Sequence, residues 1–244
     1  MYNLSESELQ EVHKGLLELL KVFKNICERE NIWYSLAYGT VLGAVRHKGF
    51  IPWDSDADVA IRLSDVERFR QAFYRYNPHG ILLKNYEKDS KNTKSHDLLY
   101  FEDKRDFSDL HLDIYPMVGT PNDERRRLKV WKRNYFLDRF FRSKYVDLKD
   151  CQAKNRLKVF FVKIIDAFIP DSFIKANIRK RENEFDVEES DYVTCLAAAN
   201  SPVPKKVWDK MVMLPFEDTE FYVPGDWDLY LRTLYGDYMT PQKY

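Results

Sequence analysis

Three aspartates at alternate positions, Asp54, Asp56 and Asp58, close a run of residues that opens on Gly39-Thr40-Val41-Leu42-Gly43-Ala44-Val45-Arg46-His47-Lys48-Gly49-Phe50-Ile51-Pro52-Trp53. On a β-strand, alternate side chains share a face. The spacing therefore predicts three carboxylates crowded on one side, with Ser55, Ala57, Val59 and Ile61 on the other, mostly apolar side. Like charges that close repel and call for a cation. Hard oxygen ligands in this pattern suit Mg²⁺ or Mn²⁺, which commonly arrives with a phosphate substrate. The competing reading is a solvated acidic strand end, against which the preceding glycines and cations weigh.

Arg46 and Lys48 lie between the glycine turn and the acids. With the aspartates neutralised by metal, Arg46 can hold phosphate oxygens by a bidentate fork and Lys48 as a point charge. Gly39 permits close backbone approach, and Thr40 carries N–H and hydroxyl donors. His47 is available as a proton acceptor, although a loop histidine is more often structural or solvated.

The 244 residues suffice for one large domain, or a domain with a helical extension. Lys plus Arg balance Asp plus Glu at 39 each, so net charge points neither toward nor away from a polyanion. Aromatic residues make up 15%, a level compatible with a sugar or nucleotide site but mostly explained by core. Cys27, Cys151 and Cys195 form no CxxC pair, which argues against a zinc site or a disulfide framework and favours a reducing cytoplasm. No apolar run is long enough to span a bilayer, and the N-terminus lacks a signal pattern. A soluble cytoplasmic protein is expected, one still able to sit at the inner membrane face.

Ser5 with Glu8 reads as a capping box for a helix over 5–30. A short strand over 32–38 leads into the glycine turn, a short helix over 42–46 follows, and Pro52 opens the acidic strand to Arg62. Ser64 and Glu67 start another helix, ended by Asn77-Pro78-His79-Gly80. Strands are expected over 81–86 and 97–102, around the polar turn from Lys88 to Lys94, and over 110–115, ended by Pro116. This order predicts a mixed α/β (α+β) core over residues 1–121. Residues 122–244 read as mainly helical (124–144, 153–168 and 171–188), packing on the core and completing the substrate site. The tail beyond these helices returns to loops and a short helix near 226–235.

On the strand over 110–115, Leu110, Leu112 and Ile114 would face the core, with His111, Asp113 and Tyr115 opposite. An aspartate is disfavoured in a strand, so Asp113 reads as a third metal ligand, a general base, or a carboxylate satisfied by a neighbouring helix. Together these features describe metal-assisted phosphoryl-type transfer, with a carboxylate taking the proton of an incoming hydroxyl. They do not name the donor.

The run from Tyr38 to Asp54 resembles the signature of the LicD family, which includes bacterial phosphocholine transferases and is related to the fukutin group. His111-Leu112-Asp113-Ile114-Tyr115-Pro116, Leu214-Pro215-Phe216-Glu217 and Tyr235-Gly236-Asp237-Tyr238-Met239 are similar to further pieces of it. The resemblance spans almost the whole chain. It implies a nucleotidyltransferase-like mixed sheet flanked by helices. It also implies transfer of an alcohol phosphate, from a CDP-linked donor such as CDP-choline, to a sugar hydroxyl of a surface glycan (lipopolysaccharide, teichoic acid or capsule). No nucleic-acid partner is implied, and the acceptor glycan could be lipid-linked. By motif, Asp56 and Asp58 become the paired metal ligands, supported by Asp54, with Asp113 as the third carboxylate and catalytic partner. Gly39, Thr40, Arg46 and Lys48 line the phosphate site, and Trp53 and Phe50 shape the pocket. The family usually reads Asp-Asp-Asp-Ile-Asp where this chain reads Asp54-Ser55-Asp56-Ala57-Asp58, which removes no implied ligand.

Two other functions fit the same residues. One is nucleotidyl transfer of an NMP with pyrophosphate leaving. The other is a non-catalytic docking protein of glycan assembly, using the basic, aromatic segment 124–168 at a membrane interface. A choline head group would favour an aromatic cage, for which Trp131, Tyr135, Trp208, Tyr222, Trp227 and Tyr230 are candidates.

Overall fold

The computed structural model describes residues 4–88, 95–103, 110–143, 148, 153–195 and 200–240. The described elements run α1 (Glu6–Arg29), β1 (Tyr34–Leu36), α2 (Tyr38–His47), β2 (Ala57–Arg62), α3 (Val66–Tyr76), β3 (Ile81–Lys84), β4 (Asp97–Phe101) and β5 (His111–Thr120). They continue with α4 (Glu124–Ser143), α5 (Ala153–Asp166), α6 (Asp171–Glu182), β6 (Tyr192–Thr194), β7 (Val203–Pro204), β8 (Met211–Phe216), β9 (Thr219–Pro224) and α7 (Trp227–Tyr235). The expected mixed α/β class is borne out. Most of the polar turn between β3 and β4, together with Lys144 and Cys151, lies outside the described residues.

The chain forms two compact units. The first comprises residues 1–83, 98–117 and 203–244. Its sheet runs in the order β1-β2-β5-β4-β3. β1 pairs antiparallel with β2, and β2 pairs parallel with β5. α1 begins as the sequence predicts: Ser5 Oγ accepts from the Glu8 N–H, and the Glu8 carboxylate accepts from the Ser5 N–H at 2.7 Å. Leu16, Leu19, Leu20 and Phe23 of this helix are fully buried, and Phe23 meets Phe69 of α3 at 5.1 Å and Tyr34 of β1 at 5.7 Å. Gly15 lets the helix lie close to Leu110, whose Cδ1 would be 2.8 Å from any added Cβ.

Several boundaries move. β2 starts at Ala57, not at Pro52, so Asp54 and Asp56 sit in the preceding loop and only Asp58 is on the strand. The physical reason lies in the loop's own bonding, described below. β5 does not stop at Pro116. The fixed φ of proline suits extended backbone, and the ladder continues through Arg62↔Met117 and Val118↔Thr194. The antiparallel hairpin β8–β9 falls where loops were expected. Its Pro215 weakens a strand reading, and its turn depends on Glu217 adopting φ +55°.

The second unit comprises residues 84–97 and 118–202. The end of β5 pairs antiparallel with β6. Tyr86, Ile174 and Ile178 form a small core against Leu137, Phe140 and Ile169. Tyr86 Oη donates to the buried Glu182 at 3.0 Å, and Arg179 holds Glu87 through two bonds of 2.8 and 2.9 Å. Cys195 in this unit and Cys27 in the first are buried free thiols.

Candidate active site

The site is built around the first turn of α2, entirely within the first unit. Ala37 enters the helix in extended conformation and Tyr38 takes φ +46°, a left-handed conformation that costs a non-glycine residue roughly 1–3 kcal/mol. Its N–H donates to Tyr230 Oη of α7 at 2.9 Å, and its ring meets Tyr115 edge-on at 5.6 Å. Thr40 then ties the helix to the strand. Its N–H donates to Ala37 O at 3.0 Å, and its Oγ1 accepts from the Asp58 N–H at 2.8 Å. Asp58 O accepts from the Ala37 N–H at 2.9 Å. Thr40 therefore spends its backbone donor inside the turn, and its buried hydroxyl fixes the backbone of Asp58.

Across the parallel ladder, Asp58 lies directly opposite Asp113. Such partners project to the same face, on strands about 4.8 Å apart. Tyr115, two residues on, shares that face, and His111 Nε2 lies 3.6 Å from Asp113 Oδ2. Asp113 is only 7% exposed, so its charge has little water to screen it. Two like charges opposite each other destabilise a sheet, which makes this pair expensive without a cation.

Asp54 reaches the start of α2 by another route. Its Oδ1 accepts from the Asp56 N–H at 3.3 Å, its N–H donates to Ile51 O at 2.9 Å, and its carbonyl accepts from His13 Nε2 at 2.7 Å. These bonds curl residues 51–56 into a turn and hold Asp54 off the strand. A Cβ on Gly39 would stand 3.1 Å from Asp54 Oδ2. The space that glycine leaves is thus occupied by a carboxylate at the positive end of α2. Burial, and secondly the Asp56 charge, raise the Asp54 carboxyl above its ordinary pKa. Asp56 is exposed.

A raised carboxyl pKa means that the folded state binds the proton more tightly than the unfolded chain does. The associated stability is fully present below the ordinary aspartate pKa of about 3.9 and is lost as pH rises through the raised folded value. Asp54→Asn should therefore melt higher than the parent at neutral pH without added divalent cation. The gap should close on acidification to about pH 3.9. A thermal-melt series over pH checks this, and a gap that widened toward acid would contradict it.

The other expected contacts gather at the far end of α2. Arg46 lies six residues beyond Thr40, about 9 Å along the axis. Its Nε donates to His47 Nε2 at 2.9 Å and its guanidinium to Tyr238 O at 2.9 Å. His47 is thereby held as a neutral acceptor, its pKa lowered by burial and by Arg46. Lys48 is exposed at φ +58°, where it ends the helix. Trp53, 51% exposed, meets the His47 ring at 6.2 Å. The structure thus sets Gly39 against Asp54, Thr40 against Asp58 and Asp58 opposite Asp113 around the first turn of α2, and places Arg46, Lys48 and Trp53 toward the helix's other end.

A clamp from the distant hairpin fixes the loop between these groups. Glu217 N–H donates to Lys48 O at 2.8 Å, and Glu217 Oε1 accepts from the Phe50 N–H at 2.9 Å. The Phe50 ring stacks on His13 at 4.5 Å and meets Phe216 at 4.8 Å. His13 and these roles of Tyr230 and Glu217 were not anticipated from sequence. Of the cage candidates, Trp208 and Tyr230 meet at 5.3 Å but are 7% and 1% exposed, so they are core. Tyr222 packs on Tyr34, Trp131 on Tyr135, and Trp227 is half-buried.

Among the described residues, no three His, Cys, Asp or Glu side chains form a group able to hold a metal by themselves. The expected set of Asp54, Asp56, Asp58 and Asp113 is therefore not brought together as one cluster, and a Mg²⁺ site here would rest on one or two carboxylates completed by water and substrate phosphates. The Asp58–Asp113 pair has the right hard-oxygen chemistry for this mode.

Residues 31–159 match the family described as LicD/FKTN/FKRP, nucleotidyltransferase domain, over just more than half of the chain. The chain belongs to the LicD/FKTN/FKRP family. Within that family it is 25% identical to the lipopolysaccharide cholinephosphotransferase LicD of Haemophilus influenzae over 246 aligned residues, covering 95% of this chain and 91% of that protein. The ribitol 5-phosphate transferase FKRP of human and of mouse is 38% identical over 58 residues, covering 24% of this chain and 12% of FKRP. The match to the LicD/FKTN/FKRP domain contains every acid of the site, from Asp54 to Asp113.

Proposed function

We propose that this protein transfers phosphocholine, or a similar alcohol phosphate, from a CDP-linked donor to a sugar hydroxyl of a cell-surface glycan. The observation that carries the reading is the Asp58–Asp113 pair, set opposite each other at the first turn of α2. End-to-end similarity to a lipopolysaccharide cholinephosphotransferase supports the choice of donor and acceptor class. Mg²⁺ held by the pair would neutralise the diphosphate and orient it for in-line attack. Asp113, the more buried acid, takes the proton of the sugar hydroxyl as its oxygen bonds to the phosphorus bearing choline. The bond from that phosphorus to the CMP oxygen breaks, and CMP leaves with the electron pair. Asp58, its backbone fixed by Thr40, keeps its carboxylate aimed at the same face. Tyr38 and Tyr115, at the edge of that face, supply π surface for a quaternary ammonium group.

The domain description also favours a second reading, in which the nucleotide half of the donor is transferred and pyrophosphate leaves. The test is a thermal-shift series with Mg²⁺ alone and with CDP-choline, CDP-ribitol, CTP or ATP. A ligand at about 100 times its Kd adds roughly 2.7 kcal/mol. At about 2–4 °C per kcal/mol for a chain of this size, that is a clear rise. A Mg²⁺-dependent rise with a CDP-alcohol supports the proposal. A rise with CTP or ATP alone replaces it by nucleotidyl transfer.

A further inference from the structure

α5 is inside out. Leu157, Phe160, Phe161, Ile164, Ile165 and Phe168, at the helix and its C-terminal turn, are 45–84% exposed, with Phe168 at 84%. They recur at intervals of three and four, so they form one stripe about three turns long on a helix roughly 21 Å long. The half-buried described positions of α5 are instead the smaller Val159 and Val162, with Lys163. A helix that used its aromatic face for the core would show the reverse. Six large apolar side chains facing water make a patch of the kind that marks a docking surface.

Charge decides what docks. Residues 124–170 carry fourteen Lys and Arg against five Asp and Glu, within a chain whose charges cancel, so the remainder of the sequence has an acidic excess. α5 itself has Lys154, Arg156, Lys158 and Lys163 against Asp166. An apolar stripe with basic residues on the same helix is the pattern of an interfacial helix on anionic lipid. A protein partner with an acidic rim would need matching apolar relief, whereas a bilayer needs only the stripe. Among the described residues no helix is long and apolar enough to cross a membrane, so the helix would lie in the interface plane.

We infer that the α5 stripe, from Leu157 to Phe168, seats this protein on an anionic lipid surface. The inference does not depend on the proposed reaction, and its test does not use activity. The full-length protein is sedimented with vesicles of phosphatidylcholine alone and with vesicles containing a large share of phosphatidylglycerol. The bound fraction should be high only with the anionic vesicles and should fall in high salt. Phe161→Asp/Phe168→Asp changes two exposed side chains, so its circular dichroism should match the parent. Its partition coefficient on the anionic vesicles should drop at least tenfold. A parent protein left in the supernatant overturns the inference, and so does a folded double variant that binds like the parent. Light scattering gives a further overturning result: a parent dimer that the double variant makes monomeric, with no vesicle binding by either, would make the stripe a self-association face.

Discussion

Asp113→Asn and Asp58→Asn should each lower turnover by at least about 10³-fold, equivalent to about 4.1 kcal/mol of transition-state stabilisation. Neither should lower the melting temperature. Asn keeps the size and much of the hydrogen bonding of Asp, and it removes one of two like charges placed opposite each other across the β2–β5 ladder. Stability should hold or rise while activity collapses. That combination distinguishes a charge kept for chemistry from one kept for folding. The exposed loop acid provides a graded comparison. Asp56→Asn makes Asp56 a ligand if it costs as much as Asp58→Asn, and a loss under tenfold assigns the chemistry to the strand pair. Turnover of Asp113→Asn within about tenfold of the parent would remove that residue from the mechanism. Rates are read by CMP release, and folding by thermal melts.

Gly43→Ala should be among the most damaging single methyls in the first unit. The added Cβ would stand 2.4 Å from the Gly49 carbonyl oxygen and 3.5 Å from Ile51 N, both backbone atoms. Helix and loop would have to separate, because neither neighbour can rotate away. Overpacking of this kind costs about 1–3 kcal/mol and more where backbone must move. At 3 kcal/mol the melting temperature would fall by about 6–12 °C. Gly49→Ala is the control. Its Cβ would lie 2.1 Å from Glu217 Oε1, the far end of a side chain that can swing out. The cost there is the Phe50 N–H bond, about 0.5–1.5 kcal/mol. If the two variants melted alike, the close packing of α2 on its own loop would not be the dominant constraint.

Local signals in the sequence predicted local structure well. The Ser5–Glu8 box and the apolar spacing behind it located α1 within a residue, and the acids of the motif were visible as residue types. Their arrangement was not. Strand alternation placed Asp54, Asp56 and Asp58 on one face, but the hydrogen bonds of Asp54 to Asp56, Ile51 and His13 curl the chain before β2 begins. No spacing rule shows that. The partner of Asp58 is Asp113, and such a pairing is set by strand register over a long loop, to which local pattern is blind. Thr40 illustrates a different gap. A threonine in a glycine turn reads as a phosphate donor, yet here its oxygen accepts from the backbone of Asp58. The β8–β9 hairpin was missed because Pro215 argues against a strand and a left-handed glutamate at its turn carries no turn signature.

The Glu217 clamp also bears on the order of events as the chain is made. Residues 39–58 leave the ribosome early, and α2 can form locally. The loop at Lys48 and Phe50 cannot be pinned until a residue 167 positions after Phe50 has been synthesised. The most recognisable stretch of the sequence therefore reaches its working shape among the last. A nascent chain stalled before the hairpin would carry all of the site's acids on an unfastened loop.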